Sequence, residues 1–568
     1  MPLAESQNEP AAEGRAPQAL APQTLADEAR AQEAQGRPDL AARTWLQALD
    51  AAPDDDSLLA EAVAALRRQS RFVEAFEACA RAMAADPPSS LAYQLGAEIA
   101  FNHLNDPDAA AEALARGVAR FPRDPGLVSM AAQAAFFREE FALARDLARQ
   151  ALETASTPLA ARILQTLLAD HEGALTLALE ALERSPDDGD MWLTAGLAAH
   201  QLGRFSEAGA CYDRAEALSP GRADLTYPRA DAAMLLGDHA RAWRVFEALA
   251  SEAVIADAAQ RLPHYGAYWR GEPLDGKKIL VLSHVGLGDS LMYARYAQAL
   301  KAHGAARVTW CPAPALTRLF AGVAGVDEVL AAQPMSPDDT PSAPFDHWIF
   351  EIGLPPRFGA AEGLILDPGE GYLRLPDDLT PPGLGSPGQA PRDLTLPPLD
   401  DARLQVGICW SCAPTHYSRD ARLLQPEDLR PLAALGDVTW HVLQRRPRPA
   451  DFEARSGLIL TDSSGQWADM ADTARFAARL DLCLSIDSAP AHLAGALGLP
   501  TWVMIPEPPE WRWGRAGEAS PWYPRTRIFR QSRSRDWLGV TTKVARALDA
   551  ARGSLRAARL ARVPARAD

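Results

Sequence analysis

The feature that most limits what this 568-residue chain can fold into is a repeat in its first half. Gly36, Ala41, Trp45, Ala48 and Pro53 set a pattern whose offsets recur about 34 residues on, as Ala75, Cys79, Ala82 and Pro87. The series continues through Ala110, Leu114, Gly117 and Pro122, and through Ala174, Ala178, Ala181 and Pro186. It is clearest in Trp192, Gly196, Gly203, Ala208, Tyr212, Ala215 and Pro220, and Gly237, Ala242 and Phe246 end it. Small residues at this spacing let two helices of a pair touch, an aromatic ring plugs the space beside them, and a proline closes the second helix. About seven units fit between residues 22 and 256, two of them (near 125–188) degenerate. One such pair cannot bury its own apolar face, so the pairs must stack.

These positions resemble the tetratricopeptide repeat, which implies an α-helical solenoid over residues 21–258 whose concave face suits a peptide or protein partner. Residues 1–20, with Glu5, Glu9, Glu13 and three prolines among alanines, read as a disordered N-terminus. The net charge of −17 argues against nucleic acid or an anionic membrane surface as the main partner. There is no secretory signal and no apolar run long enough to span a bilayer. Six scattered cysteines fit a reducing compartment, so the expectation is a cytoplasmic protein.

Past residue 258 the repeat is lost, and Pro263, Gly266, Gly271 and Pro273 mark a junction at 259–276. A chain starting near Ala259 is therefore expected to fold without the repeats. Apolar runs at Lys278–Ser283, Arg307–Trp310, Glu328–Ala331 and His347–Glu351, with helical patterns between them, predict one α/β domain over 277–380. A Pro/Gly-rich linker at 381–403 precedes a second α/β domain at 404–550, which includes Gln405–Trp410 and Thr439–Leu443. A basic tail, 551–568, ends the chain as a solvated helix. The second domain also holds Leu482–Ile486, an apolar run followed by Asp487-Ser-Ala-Pro-Ala-His492. That order predicts a buried strand, a tight turn and a helix capped by Asp487 or Ser488, with Pro490 in the first turn and Gly498 and Pro500 beyond its end. Free backbone N–H groups and the helix dipole at such a sheet edge favour an anion. Two such domains leave a cleft between the carboxyl ends of their sheets.

Val285-Gly-Leu-Gly-Asp289, Trp410-Ser411, Arg422, Asp472-Thr473, Asp487–Ala494 and Pro509-Glu-Trp-Arg-Trp513 together resemble the GT-B glycosyltransferases, in the family of bacterial heptosyltransferases. Ser520–Pro524 and Phe529–Gln531 match its branch fused to tetratricopeptide repeats. The resemblance implies two Rossmann-like domains and an inverting transfer of a hexosyl, heptosyl or nonulosonate group from a nucleotide-sugar donor. It implies Asp289 as the general base on the acceptor hydroxyl, against the alternative of a plain N-cap. Donor and phosphate binding would fall to Gly286, Gly288, Arg422, Thr473, Asp487, Ser488, Ala489, His492 and Glu510. The histidine usual shortly after the base is replaced by Met292 and Tyr293, which counts against heptose. The transferase half has no Asp-x-Asp triplet, so no metal or other cofactor is expected. Relatives of this architecture suggest a flagellin-like protein acceptor recruited by the repeats. The rivals are a non-catalytic scaffold with a remnant transferase domain and a lipopolysaccharide glycosyltransferase. Cys409 and Cys412 have redox-pair spacing, but Cys409 lies in a strand, which points the two thiols apart.

Overall fold

The computed structural model describes residues 21–562, apart from 105, 139, 155–170, 252–253, 257–265, 331–344, 368, 370, 376–397, 413–418 and 445–450. The expected disordered segment 1–20, most of the 381–403 linker, part of the 259–276 junction and the last residues of the tail lie outside the described residues. The chain divides into two compact units, with the division between Pro186 and Asp187.

The first unit contains paired helices: Pro22–Ala34 with Pro38–Ala51, Asp56–Arg68 with Phe72–Ala84, Leu91–Asn102 with Pro107–Arg120, and Pro125–Phe137 with Phe141–Thr154. His171–Arg184 follows. Prolines open several of these helices, where the missing N–H costs nothing, and Asp55, Asp106 and Asp124 accept first-turn backbone N–H groups. A Cβ on Gly117 would lie 2.9 Å from Tyr93 Cβ, so glycine sets how closely those helices approach. The first part of the stretch expected to be degenerate, 125–154, still forms a regular pair around Val128, Ala132, Ala135, Ala144, Ala148 and Ala151.

The second unit begins with two more pairs, Gly189–Gln201 with Phe205–Leu218 and Ala223–Leu235 with His239–Glu247. At Gly196 a Cβ would lie 2.5 Å from the Tyr212 ring, the small-residue and plug positions read from the repeat. Two parallel sheets follow. The first uses β1 (Ala267–Tyr268), β2 (Lys278–Leu282), β3 (Arg307–Cys311), β4 (Glu328–Val329) and β5 (His347–Phe350), in the order β1-β5-β2-β3-β4. The second uses β6 (Leu404–Cys409), β7 (Val438–Val442), β8 (Leu460–Thr461), β9 (Leu482–Ile486), β10 (Thr501–Ile505) and β11 (Thr526–Arg530), in the order β11-β10-β9-β6-β7-β8. Every residue of β6, β9 and β10 is buried, which is why they read as unbroken apolar runs. In register, Val281 faces Trp310 and Ile349, and Ile408 faces Leu484.

The last helix, Trp537–Arg562, runs past the expected domain end at 550 and packs Val540, Val544 and Leu548 on the second sheet. Its Arg559 is not a solvated tail residue: it is buried, donating to Asp481 at 2.8 Å and to Asp401 at 2.7 Å. Among the described residues, no helix is long and apolar enough to cross a membrane.

The final repeat pairs do not form a body separate from the sheets. Phe205, Ala233, Trp243 and Phe246 share one apolar cluster with Trp269, Ile279 and Val281 of the first sheet's domain and Val503, Ile505 and Trp511 of the second. Trp511 lies 5.9 Å from both Trp243 and Phe246, ring centre to ring centre. The compact boundary thus falls inside the repeat array, ahead of the 259–276 junction. A composition change marks that junction, whereas burial of the last helices' apolar faces decides the boundary. A chain beginning at Asp187 should accordingly melt in one cooperative transition. One beginning near Ala259 leaves Trp511 uncovered and should aggregate or melt at a clearly lower temperature, because a large aromatic contact of this kind contributes about 3–5 kcal/mol. Differential scanning calorimetry of the two chains checks this.

Candidate functional site

In the first sheet, β2 leads to β3 on one side and is flanked by β5 on the other; in the second, β6 stands in the same way between β7 and β9. Loops leaving the carboxyl ends at such a reversal diverge and open a crevice. Ser283–Asp289 follows β2, Glu351 follows β5, Trp410 and Ser411 follow β6, and Asp487–His492 follows β9.

Gly286 precedes the Leu287–Tyr293 helix, and Asp289 lies in its first turn rather than at the cap. A Cβ on Gly288 would lie 2.8 Å from the His492 ring, so the helix after β2 meets the helix after β9 only because that side chain is absent. His492 belongs to the Ala489–Ala496 helix, whose N-cap is Ser488. Ser488 stands at the cap position as expected, but its hydroxyl makes no capping bond and lies 3.0 Å from that of Ser485. His492 Nδ1 is 2.9 Å from the Tyr523 hydroxyl, and Nε2 is 3.8 Å from Asp487 Oδ1.

Two buried guanidiniums organise the charges. Arg422 pairs with Asp487 at 3.1 Å, donates to the Asp487 carbonyl at 3.3 Å, and pairs with Glu510. Arg512 donates through Nε to Asp289 at 2.8 Å, and through its terminal nitrogens to Asp289, Glu510 and the Tyr227 hydroxyl. Tyr227 in turn donates to Glu510 at 2.9 Å. Burial opposes ionisation of Asp487, but the Arg422 charge, helped by His492, holds its carboxyl below the ordinary value. Burial likewise opposes the charge on Arg512, and Asp289 and Glu510 more than offset it. Asp289 is the one accessible carboxylate of the three: its side chain is 20% exposed, against 4% for Asp487 and Glu510.

The remaining expected residues divide. Glu510 stands at the centre of the charge network, and Ala489 opens the helix that carries His492. Thr473 lies inside a helix. The helix is Met470–Ala477 with Asp469 as its cap, and the Thr473 hydroxyl donates to the Asp469 carbonyl at 3.4 Å. Its neighbour Asp472 receives Arg318 of the first sheet's domain at 2.7 Å, beside the Arg318–Asp469 pair. Met292 and Tyr293 are both core residues. Cys409 and Cys412 are buried, and neither takes part in a disulfide. The loop residues 415–418 ahead of Arg422 lie outside the described residues.

Sequence reasoning missed Arg512, Tyr227 and Glu351. Arg512 was inside a quoted motif, and Glu351 ended an apolar run, a signal of a buried acid; Tyr227 carried no signal. Glu351 accepts from Ser283 and Ser290, each at 2.7 Å, and so anchors both ends of the loop that carries Asp289.

The family model described as Tetratricopeptide repeat matches residues 26–90 and 168–223. The helices within those two stretches match the tetratricopeptide repeat. Protein FlbA of Caulobacter vibrioides is 27% identical over 409 residues, covering 67% of this chain and 65% of FlbA. The chain thus spans just under two thirds of that relative. Among solved structures, a tetratricopeptide repeat protein from Parabacteroides merdae is 15% identical with a TM-score of 0.33, covering 42% of this chain and 97% of its own. MamA is 16% identical with a TM-score of 0.23, covering 36% of this chain and 94% of its own.

Burial pushes the Glu351 carboxyl up from 4.5 to about 7, against the two serine hydroxyls that favour its charged form. A carboxyl raised on folding binds its proton more tightly in the native state. Its contribution is therefore fully present below about pH 4.5 and is lost as pH rises through about 7. Glu351→Gln should remove this slope, so wild type should lose stability relative to the variant between about pH 4.5 and 7, with no further change above that range. Urea denaturation of both proteins across that range measures it.

Proposed function

We propose that this chain is an inverting, metal-independent glycosyltransferase of the GT-B type, moving a sugar from a nucleotide-sugar donor to a protein acceptor held by its tetratricopeptide array. The observation that supports the reading best is Asp289. It is a partly exposed carboxylate at the carboxyl edge of a parallel sheet, set against His492 and the Ala489–Ala496 helix through the gap left by Gly288. In this reading Asp289 accepts the proton of the acceptor hydroxyl as that oxygen attacks the anomeric carbon. The bond from that carbon to the donor phosphate breaks on the opposite face, so the configuration inverts.

Charge collects on the departing nucleotide's phosphate. The first turn of the Ala489–Ala496 helix, His492 and Arg422 stabilise it there, Arg422 giving up a carboxylate for a phosphate oxygen. Fixed cationic and N–H donors do the work that a divalent ion does where carboxylates hold one. Glu510, tied to both guanidiniums, sets their positions. The acceptor is a protein because tetratricopeptide pairs present a surface for polypeptide, and docking there raises the local concentration of hydroxyls near Asp289. A flagellin-like acceptor is the class that the GT-B resemblance supplies.

Asp289→Asn keeps the shape and removes the proton acceptor. Transfer should fall by about a hundredfold with donor affinity nearly unchanged, and EDTA should leave wild-type turnover intact. Radiolabelled sugar transfer, with calorimetric titration of the donor, measures both. Unaltered turnover in the variant rules out Asp289 as the base. Neither transfer nor hydrolysis across a panel of sugar nucleotides would point to a scaffold.

A further inference from the structure

The repeat array reaches into the chemical centre itself. Tyr227 lies on the Ala223–Leu235 helix, in the last complete repeat pair, yet its hydroxyl accepts from Arg512 and donates to Glu510. Four residues on, Asp231 accepts the Trp511 backbone N–H at 3.0 Å and lies 3.3 Å from His200 Nε2 on the neighbouring repeat helix. All three residues of the Glu510–Arg512 turn are thus held from one helix of the array. Arg512 lies 4.8 Å above the Trp511 ring and 5.7 Å above the Tyr227 ring, so its guanidinium plane is fixed by the same two residues. Its remaining donors go to Asp289.

We infer that Tyr227 is a positioning residue for Asp289, acting through Arg512, so that the last tetratricopeptide pair is a working part of the transfer site as well as a docking surface. The inference rests on Asp289 being the proton acceptor. A guanidinium donates from fixed directions, and it has three acceptors here: Asp289, Glu510 and Tyr227. Their relative placement decides how Arg512 holds the Asp289 carboxylate, and hence which oxygen and which direction face an incoming hydroxyl. Tyr227 bridges the arginine and the glutamate by accepting from the one and donating to the other, a role phenylalanine cannot fill. A shift of the repeat helix on acceptor docking passes by the same contacts to Asp289.

The test is a double-mutant cycle in the full-length chain with Tyr227→Phe and Asp289→Asn. Tyr227→Phe keeps the ring among its apolar neighbours and should fold. Alone it should lower kcat about tenfold while changing the donor KM less than twofold, because orientation of the base is lost and donor contacts are kept. In the Asp289→Asn background it should cost nothing further in rate. An unchanged kcat for Tyr227→Phe, or an equal loss in both backgrounds, overturns the inference. A second readout does not need transfer. The melting-temperature drop caused by Tyr227→Phe should shrink by half or more once Asp289 is Asn, and equal drops in the two backgrounds would also overturn it. Absence of transfer in wild type defeats the proposed function alone, and the thermal cycle still decides the coupling.

Discussion

One guanidinium holds the second unit in register. Arg512 comes from the turn after β10, Asp289 from the helix after β2, and Tyr227 from a repeat helix, and all three converge with Glu510 on one cluster. Arg512 and Glu510 are buried, so each must find its partners inside the protein. Removing one member of such a set leaves an uncompensated charge and costs about 3–5 kcal/mol, whereas the intact set contributes little net stability. The value of the cluster is therefore specificity of placement: any other docking of the repeat pair on the sheets strands a buried charge.

The apolar contacts supply the driving force and leave the geometry to the polar ones. Trp243, Phe246 and Trp511 bury large rings against one another, but such contacts tolerate small slides. The Trp511 N–H to Asp231 bond and the Arg318 pairs with Asp469 and Asp472 do not, because hydrogen bonds weaken steeply with angle. Gly288 adds a steric condition, since any side chain there pushes away the His492 ring. Together these fix where the carboxyl edges of the two sheets stand relative to each other.

Much of this was legible from residue order. Gly196 and Tyr212 were readable as a contact and its plug because both lie within one helix pair. The strands β6, β9 and β10 were readable because parallel strands buried on both faces carry no polar alternation. That Gly288, Asp289 and His492 stand just beyond buried strands was readable because turn chemistry after such a strand is local. The burial of Arg559 was not readable, since it looks like any solvated arginine until Asp481 and Asp401 come beside it.

Local order therefore determined the helix pairs, the two parallel sheets and the two turns that carry Asp289 and His492, since each depends on residues a few positions apart. Folding in three dimensions decided the rest. It moved the boundary between compact units to Pro186, made Glu351 the anchor of the Asp289 loop, and brought Tyr227 to Arg512. Glu351 reaches Ser290 across 61 residues of chain, and Tyr227 reaches Arg512 across 285. No periodicity or spacing spans such separations. These pairs exist because the apolar faces that meet first leave their polar side chains facing one another out of water, where each must be satisfied by whichever partner the packing supplies.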